Sequence, residues 1–311
     1  MPNLTQLLGG PDLFVKRDDC TGLATGGNKV RQLEFYLGEA VEQGATTVLV
    51  TGAIQSNFVR SVAAATAKLG LGCDIQLEDR VPGMGEIYRT SGNVLLDQLF
   101  GARFHDYSVG NHEGGADSAL DELASRLRSE GELPYVIHLS EEHPPLGALG
   151  YVDAAEELEG QLATAGVPRA TIVVASGSGA THAGLLVGLR ALGNDQIKVE
   201  GICVRRDQNA QGTRVLRVAR NTEKLLKMGN IVREDDISVD DAFLGPAYGV
   251  VTAKATEAIC LGAREEGLIL DPAYTGKSFA GFLDFVRKRR IGAEPVIFLH
   301  TGGIPALFAY G

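Results

Sequence analysis

Short, mostly apolar runs alternate with longer helix-compatible segments along most of this chain, and that alternation restricts its fold more than any other feature. Residues 46–50, 73–77, 135–139, 171–175, 198–204 and 295–299 read as buried strands. Residues 57–69, 92–99, 147–163, 182–192, 212–226 and 253–266 read as helices. Strands separated by helices cannot pair as tight hairpins. They form βαβ units, so an α/β fold on parallel sheets is expected. Pro82-Gly83 and the stretch from Gly110 to Gly115 read as surface loops, and no Pro/Ser linker, low-complexity tract or fixed-period repeat breaks the pattern.

In open α/β sheets, ligands gather beyond the carboxyl ends of the strands. Three loops rich in Gly, Ser, Thr and Asn fall there: residues 51–57 (Thr-Gly-Ala-Ile-Gln-Ser-Asn), 176–181 (Ser-Gly-Ser-Gly-Ala-Thr) and 300–303 (His-Thr-Gly-Gly). The run Ser176, Gly177, Ser178, Gly179, Ala180 and Thr181 can turn successive backbone N–H groups inward as an anion nest. The positive end of the next helix stands behind it, so a phosphate suits this loop. Gly177 and Gly179 match two glycines of the dinucleotide fingerprint and Glu200 lies at a ribose-contact spacing, but His182 occupies the third position. A nicotinamide oxidoreductase and a non-catalytic small-ligand-binding protein therefore stay open. A further Gly-rich stretch ends in Gly26-Gly27-Asn28-Lys29, whose lysine is placed for covalent cofactor chemistry; taken alone it reads more simply as a turn lysine in water.

Bulk properties narrow the classes further. The chain has 311 residues, enough for one large or two ordinary domains, and a formal net charge of -10, which supplies no basic face for nucleic acid or an anionic membrane. No secretion signal and no apolar stretch of about 18 residues is visible, so a cytoplasmic protein without membrane association is expected. Cys20, Cys73, Cys203 and Cys260 are scattered, which suits reduced, mostly buried thiols and no metal site. His105, His112 and His138 lack metal-ligand spacing and read as surface or loop residues. His182 and His300 read as shaping a helix start and a strand end, and residues 233–236 as a solvated acidic loop.

A set of ordered motifs carries a resemblance: Lys16-Arg17-Asp18-Asp19, Gly26-Gly27-Asn28-Lys29, Gln55-Ser56-Asn57, Leu146-Gly147-Ala148-Leu149-Gly150-Tyr151, Ser176-Gly177-Ser178, Asp271-Pro272-Ala273-Tyr274-Thr275-Gly276-Lys277 and His300-Thr301-Gly302-Gly303. In this order they resemble the D-cysteine desulfhydrase and 1-aminocyclopropane-1-carboxylate deaminase family, to which L-cysteate sulfo-lyase also belongs. The stretches Leu77-Glu78-Asp79-Arg80 and Gly92-Asn93-Val94-Leu95-Leu96-Asp97 are similar to that last branch. The resemblance implies a pyridoxal 5'-phosphate enzyme of fold type II, tryptophan synthase β-like. Its two open twisted parallel-sheet domains would be a large one from residues 1–37 and 151–311 and a small one from 38–150, with the cofactor in the cleft between them. A homodimer is expected.

The same resemblance implies residue roles. Lys29 would bind the cofactor covalently and move protons at the substrate Cα, which requires a lowered pKa. The loop from Ser176 to Thr181 would hold the phosphate, Asn57 the ring hydroxyl, Thr301 the pyridine nitrogen, and Ser56 the substrate carboxylate. Ser56 and Asn57 are also helix-capping types, and capping can coexist with carboxylate binding. Tyr248 and Tyr274 match two active-site tyrosines that orient substrate or transfer protons. Lys277 is a rival covalent lysine that more simply begins a helix.

Some positions depart from the family pattern. Thr275 stands where ring-opening deaminases carry Glu, which argues against ring opening. Phe58 replaces the His or Gln that follows Gln-Ser-Asn, and Ser140-Glu141-Glu142-His143-Pro144-Pro145 stands where Gly-Gly-Ser is usual. The usual segment ahead of Lys16 is short here, so the natural start is expected upstream. Phe58 should border the substrate and make D-cysteine a poor one. Glu141 and Glu142 should disfavour a sulfonate unless His143 or an arginine compensates. The reaction expected is β-elimination from a small amino acid with sulfur at Cβ, giving pyruvate, ammonia and sulfide or sulfite. An aminocyclopropane carboxylate deaminase or an amino-acid racemase is the alternative within the family.

Overall fold

A computed structural model describes residues 1–107, 110, 112–288 and 294–310. Its strands are β1 (Leu13–Arg17), β2 (Thr47–Ala53), β3 (Gly72–Glu78), β4 (Arg103–Tyr107), β5 (Pro134–Ile137), β6 (Ala170–Ser176), β7 (Ile197–Cys203), β8 (Ser238–Asp240) and β9 (Val296–His300). They form two sheets, one in the order β1-β9-β6-β7-β8 and one in the order β4-β3-β2-β5. Every pairing is parallel, as helical crossovers require. The four-stranded sheet is inserted in sequence between β1 and β6 of the other. A division at residues 37/38 and 150/151 stays a proposal; both points fall inside helices, Asn28–Glu42 and Leu146–Thr164.

The central strands are buried because both faces carry helices. β2 is buried along its whole length, as is β9. Register then fixes which loops meet. β1 pairs with β9 so that Arg17 lies opposite His300, and β6 pairs with β7 so that Ser176 lies opposite Cys203. In the smaller sheet Ala53 lies opposite Glu78 and Val50 opposite Ile137. The segments leaving these strand ends are therefore neighbours.

Three strands escape the sequence reading for one reason. β1 runs into Lys16 and Arg17, β4 is Arg-Phe-His-Asp-Tyr, and β8 has three residues; all are edge strands, where one ladder suffices and polar residues are tolerated. Other expectations need correction. The stretch to Gly115 is not all loop, since a helix occupies Glu113–Ser129 and buries Ala116, Leu120, Leu123 and Leu127. Cys73 and Cys203 are buried, but Cys20 and Cys260 are exposed, so the thiols are not mostly buried. His105 sits on β4 and bonds the Asp74 carboxylate at 2.8 Å. In the acidic run Arg233, Glu234 and Asp235 are exposed as expected, while the half-buried Asp236 pairs with Arg190 at 2.7 Å.

Helix Leu146–Thr164 packs between helices Asn28–Glu42 and Ala180–Ala191, and it does so through glycines. A Cβ on Gly150 would lie 2.2 Å from the Arg31 carbonyl oxygen, and one on Gly184 would lie 2.3 Å from the Ala148 carbonyl oxygen. These contacts fix the helices that begin at the lysine and phosphate loops. We expect Gly184→Ala to lower stability by about 2 kcal/mol through overpacking. Gly160→Ala, in helix Leu146–Thr164 and facing open space, should instead add up to ~1 kcal/mol. Denaturant midpoints of the two variants check this contrast.

Candidate active site

One cleft collects the segments that follow the strand ends of both sheets. Its walls include Lys29, Ser56, Asn57, Phe58, Arg80, the residues 138–145 region, the loop from Ser176 to Thr181, Arg205, Asp271, Tyr274 and Thr301. Lys29 follows β1, Ser56 follows β2, Arg80 follows β3, His138 follows β5, Gly177 follows β6, Arg205 follows β7 and Thr301 follows β9. Parallel strands all point their carboxyl ends the same way within a sheet, which is why residues so distant in sequence converge here.

The backbone ahead of Lys29 is unusual. Ala24, Thr25, Gly26 and Gly27 all have positive φ, of 45°, 71°, 67° and 114°. Only glycine fits at Gly26, where a Cβ would lie 2.1 Å from the Asp19 carbonyl oxygen. The turn is held from several sides. Gly27 N–H donates to the Asp18 carbonyl at 2.8 Å, and Asn28 N–H donates to the Thr301 carbonyl at 3.1 Å. Arg60, fully buried in helix Asn57–Leu69, donates to the carbonyls of Ala24 and Gly26. Asn28 and Gln32 side-chain amides both donate to the Thr181 hydroxyl, at 2.8 and 3.0 Å. The lysine helix is thereby tied to the 176–181 loop.

The Lys29 amine has no hydrogen-bonding or carboxylate partner among the described residues. It faces the Phe58 ring, 5.9 Å from the centroid, and loss of hydration lowers its pKa to about 8. Lys277 differs. Its pKa is also lowered to about 8 by burial, but its ammonium donates to the carbonyls of Leu244 at 2.7 Å and Ala247 at 3.3 Å, and it does not line the cleft. Lys277 serves to pin the Tyr248 loop, within the first turn of helix Thr275–Lys288.

In the 176–181 loop the N–H groups of Gly177, Ser178 and Gly179 donate to nothing among the described residues. Their carbonyls face the other way: Arg206 donates to the Gly177 carbonyl at 2.9 Å and Arg214 to the Ser178 carbonyl at 2.7 Å. Gly179 has φ 93° and opens helix Ala180–Ala191, whose first N–H groups have no intrahelical acceptor. The hydroxyl of Ser176 is already engaged, accepting from Gln211 at 2.9 Å and lying 3.3 Å from His182 Nδ1. Burial pushes His182 down to about 4, so it is neutral and shapes the helix start, as expected. His300 bonds the Ile269 carbonyl at 3.0 Å and accepts from Gly302 N–H at 3.2 Å, fixing the strand end.

Ser56 caps helix Asn57–Leu69 by accepting from Val59 N–H at 3.2 Å. Asn57 Oδ1 accepts from Asn93 at 2.9 Å, which leaves its amide N–H groups for the cleft. Phe58 lines the cleft and packs edge-on against Tyr36. Tyr274 also lines it, whereas Tyr248 stands behind and reaches it through a 2.6 Å hydroxyl–hydroxyl bond. Asp271 accepts from the N–H groups of Ala273, Tyr274 and Thr275 and from the Thr275 hydroxyl at 2.7 Å, so this carboxylate builds the turn that presents Tyr274. His138, in the loop after β5 as expected, stacks on His143 at 3.7 Å in the cleft wall. Glu142 is exposed and outside the wall, while Glu141 is ion-paired with Arg214 at 3.2 Å and Arg217 at 3.1 Å. The expected penalty on an anionic substrate is thus offset by arginine.

Arg60 and Arg205 stand in none of the motifs quoted from the sequence, and Arg80 and Asp271 stand in them without a role of their own. Position could have found two of them, since Arg80 and Arg205 each stand two residues past a strand end. Among the described residues no group of His, Cys, Asp and Glu can hold a metal ion, and no helix is long and apolar enough to cross a membrane.

Comparison with known proteins bears on this cleft. The family of pyridoxal-phosphate dependent enzymes matches residues 1–302. A crystal structure described as an ACC deaminase homologue is 37% identical, with a TM-score of 0.86, over 100% of this chain and 90% of that one. A fungal L-serine ammonia-lyase from Rhizomucor miehei shares the fold at 18% identity, with a TM-score of 0.67, covering 97% of this chain and 91% of its own. A hydrogen sulfide-producing enzyme from Fusobacterium nucleatum does so at 17% identity, with a TM-score of 0.61, covering 94% and 89%. The cleft fits such a cofactor: an unpaired amine for an aldehyde, a nest of unbonded N–H groups for a phosphate, and the Thr301 hydroxyl, which has no partner among the described residues.

The Lys29 amine should titrate well below the ordinary lysine value of about 10.4. Because its pKa is lowered to about 8, its neutral, reactive form dominates above that pH. In cofactor-free protein, acylation of Lys29 followed by mass spectrometry should reach half its limiting rate near pH 8. A rate that keeps climbing to pH 10 would show that the cleft does not desolvate the amine.

Proposed function

The chain belongs to the family of pyridoxal-phosphate-dependent enzymes, and we propose that within it the chain catalyses β-elimination on a small amino acid bearing sulfur at Cβ, giving pyruvate, ammonia and sulfide or sulfite. The observation that carries this reading is the unpaired Lys29 amine, with its pKa near 8, on the same cleft wall system as an open N–H nest. Pyridoxal phosphate, when bound, supplies an electron-withdrawing ring that acidifies the Cα–H of an amino acid joined to it. Gly177, Ser178, Gly179 and the start of helix Ala180–Ala191 would hold the phosphate, Asn57 would donate to the ring oxygen, and Thr301 would meet the ring nitrogen. A neutral hydroxyl at that nitrogen does not enforce protonation as a carboxylate does, which favours loss of a good leaving group over transamination.

Lys29 takes the Cα proton, since an amine of pKa near 8 is largely able to accept one at mildly alkaline pH. The N-terminus of helix Asn57–Leu69, capped by Ser56, suits the substrate carboxylate. Tyr274 lines the cleft and can pass a proton, with Tyr248 orienting its hydroxyl. A cytoplasmic homodimer stays part of the same reading.

Ring-opening deamination of aminocyclopropane carboxylate is the second reading, favoured by the 37% identical homologue. Thr275 weighs against it: its hydroxyl donates to Asp271 and accepts from the Asp271 N–H at 2.7 Å, and so is committed to the turn. D-cysteine, cysteate, β-chloroalanine and aminocyclopropane carboxylate separate the two by the keto acid released. Pyruvate from β-chloroalanine and a sulfur substrate is expected, with D-cysteine weak and improved by Phe58→His; loss of one needed polar contact is worth ~10²-fold or more. 2-Oxobutyrate from aminocyclopropane carboxylate as the main product would overturn the proposal. For the phosphate, Gly179→Asp should weaken cofactor binding far more than Gly179→Asn, which carries the same backbone strain without the charge. Equal cofactor affinities of the two variants would place the phosphate elsewhere.

A further inference from the structure

We propose that Arg80 and Arg205, together with the Tyr248–Tyr274 hydroxyl pair, recognise a second anionic group on the substrate, so that the amino acid taken carries an acid, above all a sulfonate, on Cβ. The inference rests on the elimination reading for its chemistry, but the site itself stands on the cleft. Arg80 and Arg205 belong to opposite sheets, following β3 and β7, and both line the cleft that Lys29 and Tyr274 line. Arg80 is only 8% exposed.

The local charge is unbalanced. Glu78 is matched by Arg80, at 2.6 Å. Glu113 is contacted by Arg205 at 2.6 Å, Arg206 at 2.7 Å and Arg214 at 2.8 Å, and Glu141 by Arg214 and Arg217. Five arginines thus face three carboxylates. Arg206 and Arg214 have a structural duty on the carbonyls of Gly177 and Ser178. Among the described residues Arg205 has none; its one hydrogen bond there goes to a carboxylate that two other arginines also reach. Burial, and after it the neighbouring Arg80 charge, lowers the Arg205 pKa even though Glu113 raises it, so the two guanidiniums stand close enough to repel. Arg80 and Arg205 each keep one carboxylate, but Glu113 is shared with Arg206 and Arg214, so the cluster carries excess positive charge that a ligand anion would balance.

Two other anions are already provided for. The cofactor phosphate has the N–H nest of Gly177 to Gly179, and the substrate α-carboxylate has the N-terminus of helix Asn57–Leu69. What remains is the side chain. A sulfonate offers three acceptor oxygens, enough for both guanidiniums and the Tyr274 hydroxyl. In its elimination the Cα proton goes to Lys29, and the C–S bond breaks with both electrons leaving on sulfur as sulfite. Water then converts the remaining enamine to pyruvate and ammonium. Charge on the departing group rises as the bond breaks, where the arginines assist most.

The test compares aspartate with asparagine, in both hands, as ligands of the holoenzyme. They match in size and differ in the Cβ charge, and neither has a leaving group suited to elimination. Binding is read by the absorbance of the bound cofactor and by calorimetry, for wild type, Arg205→Met and Arg205→Lys, alongside the KM for cysteate. Aspartate should bind wild type at least about 30-fold more tightly than asparagine; Arg205→Met should remove that preference and raise the cysteate KM, and Arg205→Lys should keep part of it. Equal wild-type affinities would overturn the proposal. So would an equal loss for both ligands in Arg205→Met, which would give Arg205 the α-carboxylate, or a loss of cofactor, which would give it the phosphate. β-Chloroalanine turnover scores the elimination reading separately. Charge-selective binding without turnover keeps this inference and removes the other, and turnover without selectivity does the reverse.

Discussion

Two glycine turns from opposite ends of the chain meet so closely that no side chain fits between them, and the position of Lys29 depends on that contact. A Cβ on Gly302 would lie 2.7 Å from the Gly27 Cα, and one on Gly27 would lie 3.1 Å from the Thr301 carbonyl oxygen. The pairing of β1 with β9 brings the turns together, and the Asn28 N–H to Thr301 carbonyl bond sets their register. Lys29 and Thr301 are thereby placed as one unit. Arg60 reaches in from the other sheet's helix to clasp the same turn, so the smaller sheet also bears on the lysine. Burial has a cost there: both Asp97 oxygens, near Arg60, lack hydrogen-bond partners, and burial raises Asp97 to about 8.

Charge in the cleft is divided between holding the backbone and meeting a ligand. Arg206 and Arg214 hold the 176–181 loop by its carbonyls, which turns its N–H groups toward the cleft. Glu113 organises these arginines, and its carboxyl is held below the ordinary range by Arg205, Arg214 and Arg206 despite its burial. Lys29, by contrast, is kept away from every carboxylate. A nearby acid would raise its pKa, and the apolar ring of Phe58 stands beside it instead.

The parallel α/β architecture was legible in the sequence because the central strands and their crossover helices are amphipathic or apolar at the expected periods. Helix Asn57–Leu69 and helix Ala253–Glu266 match the expected bounds. Edge strands were not legible, since β4 and β8 bury too little to need an apolar pattern. Helix Asn28–Glu42 was hidden by its glycine-rich entrance, although Leu33 and Leu37 on it are buried in the core of the smaller sheet. In the cleft, glycine marked the loops well, because close approach and positive φ demand it. Arginine did not mark itself: Arg80 and Arg205 look in sequence like any surface cation, and only the fold shows them buried and facing one ligand space. The Ser176 hydroxyl is engaged with Gln211 and His182, whereas the Thr181 hydroxyl accepts from Asn28 and Gln32 and keeps its own O–H to donate.

The account turns on which lysine is covalently joined to the cofactor. Borohydride reduction of the holoenzyme, followed by digestion and mass mapping, answers that directly. A pyridoxyl adduct on Lys29, with its absorbance band lost in Lys29→Ala and kept in Lys277→Ala, is the predicted result. An adduct on Lys277, or on no lysine of the cleft, would contradict it.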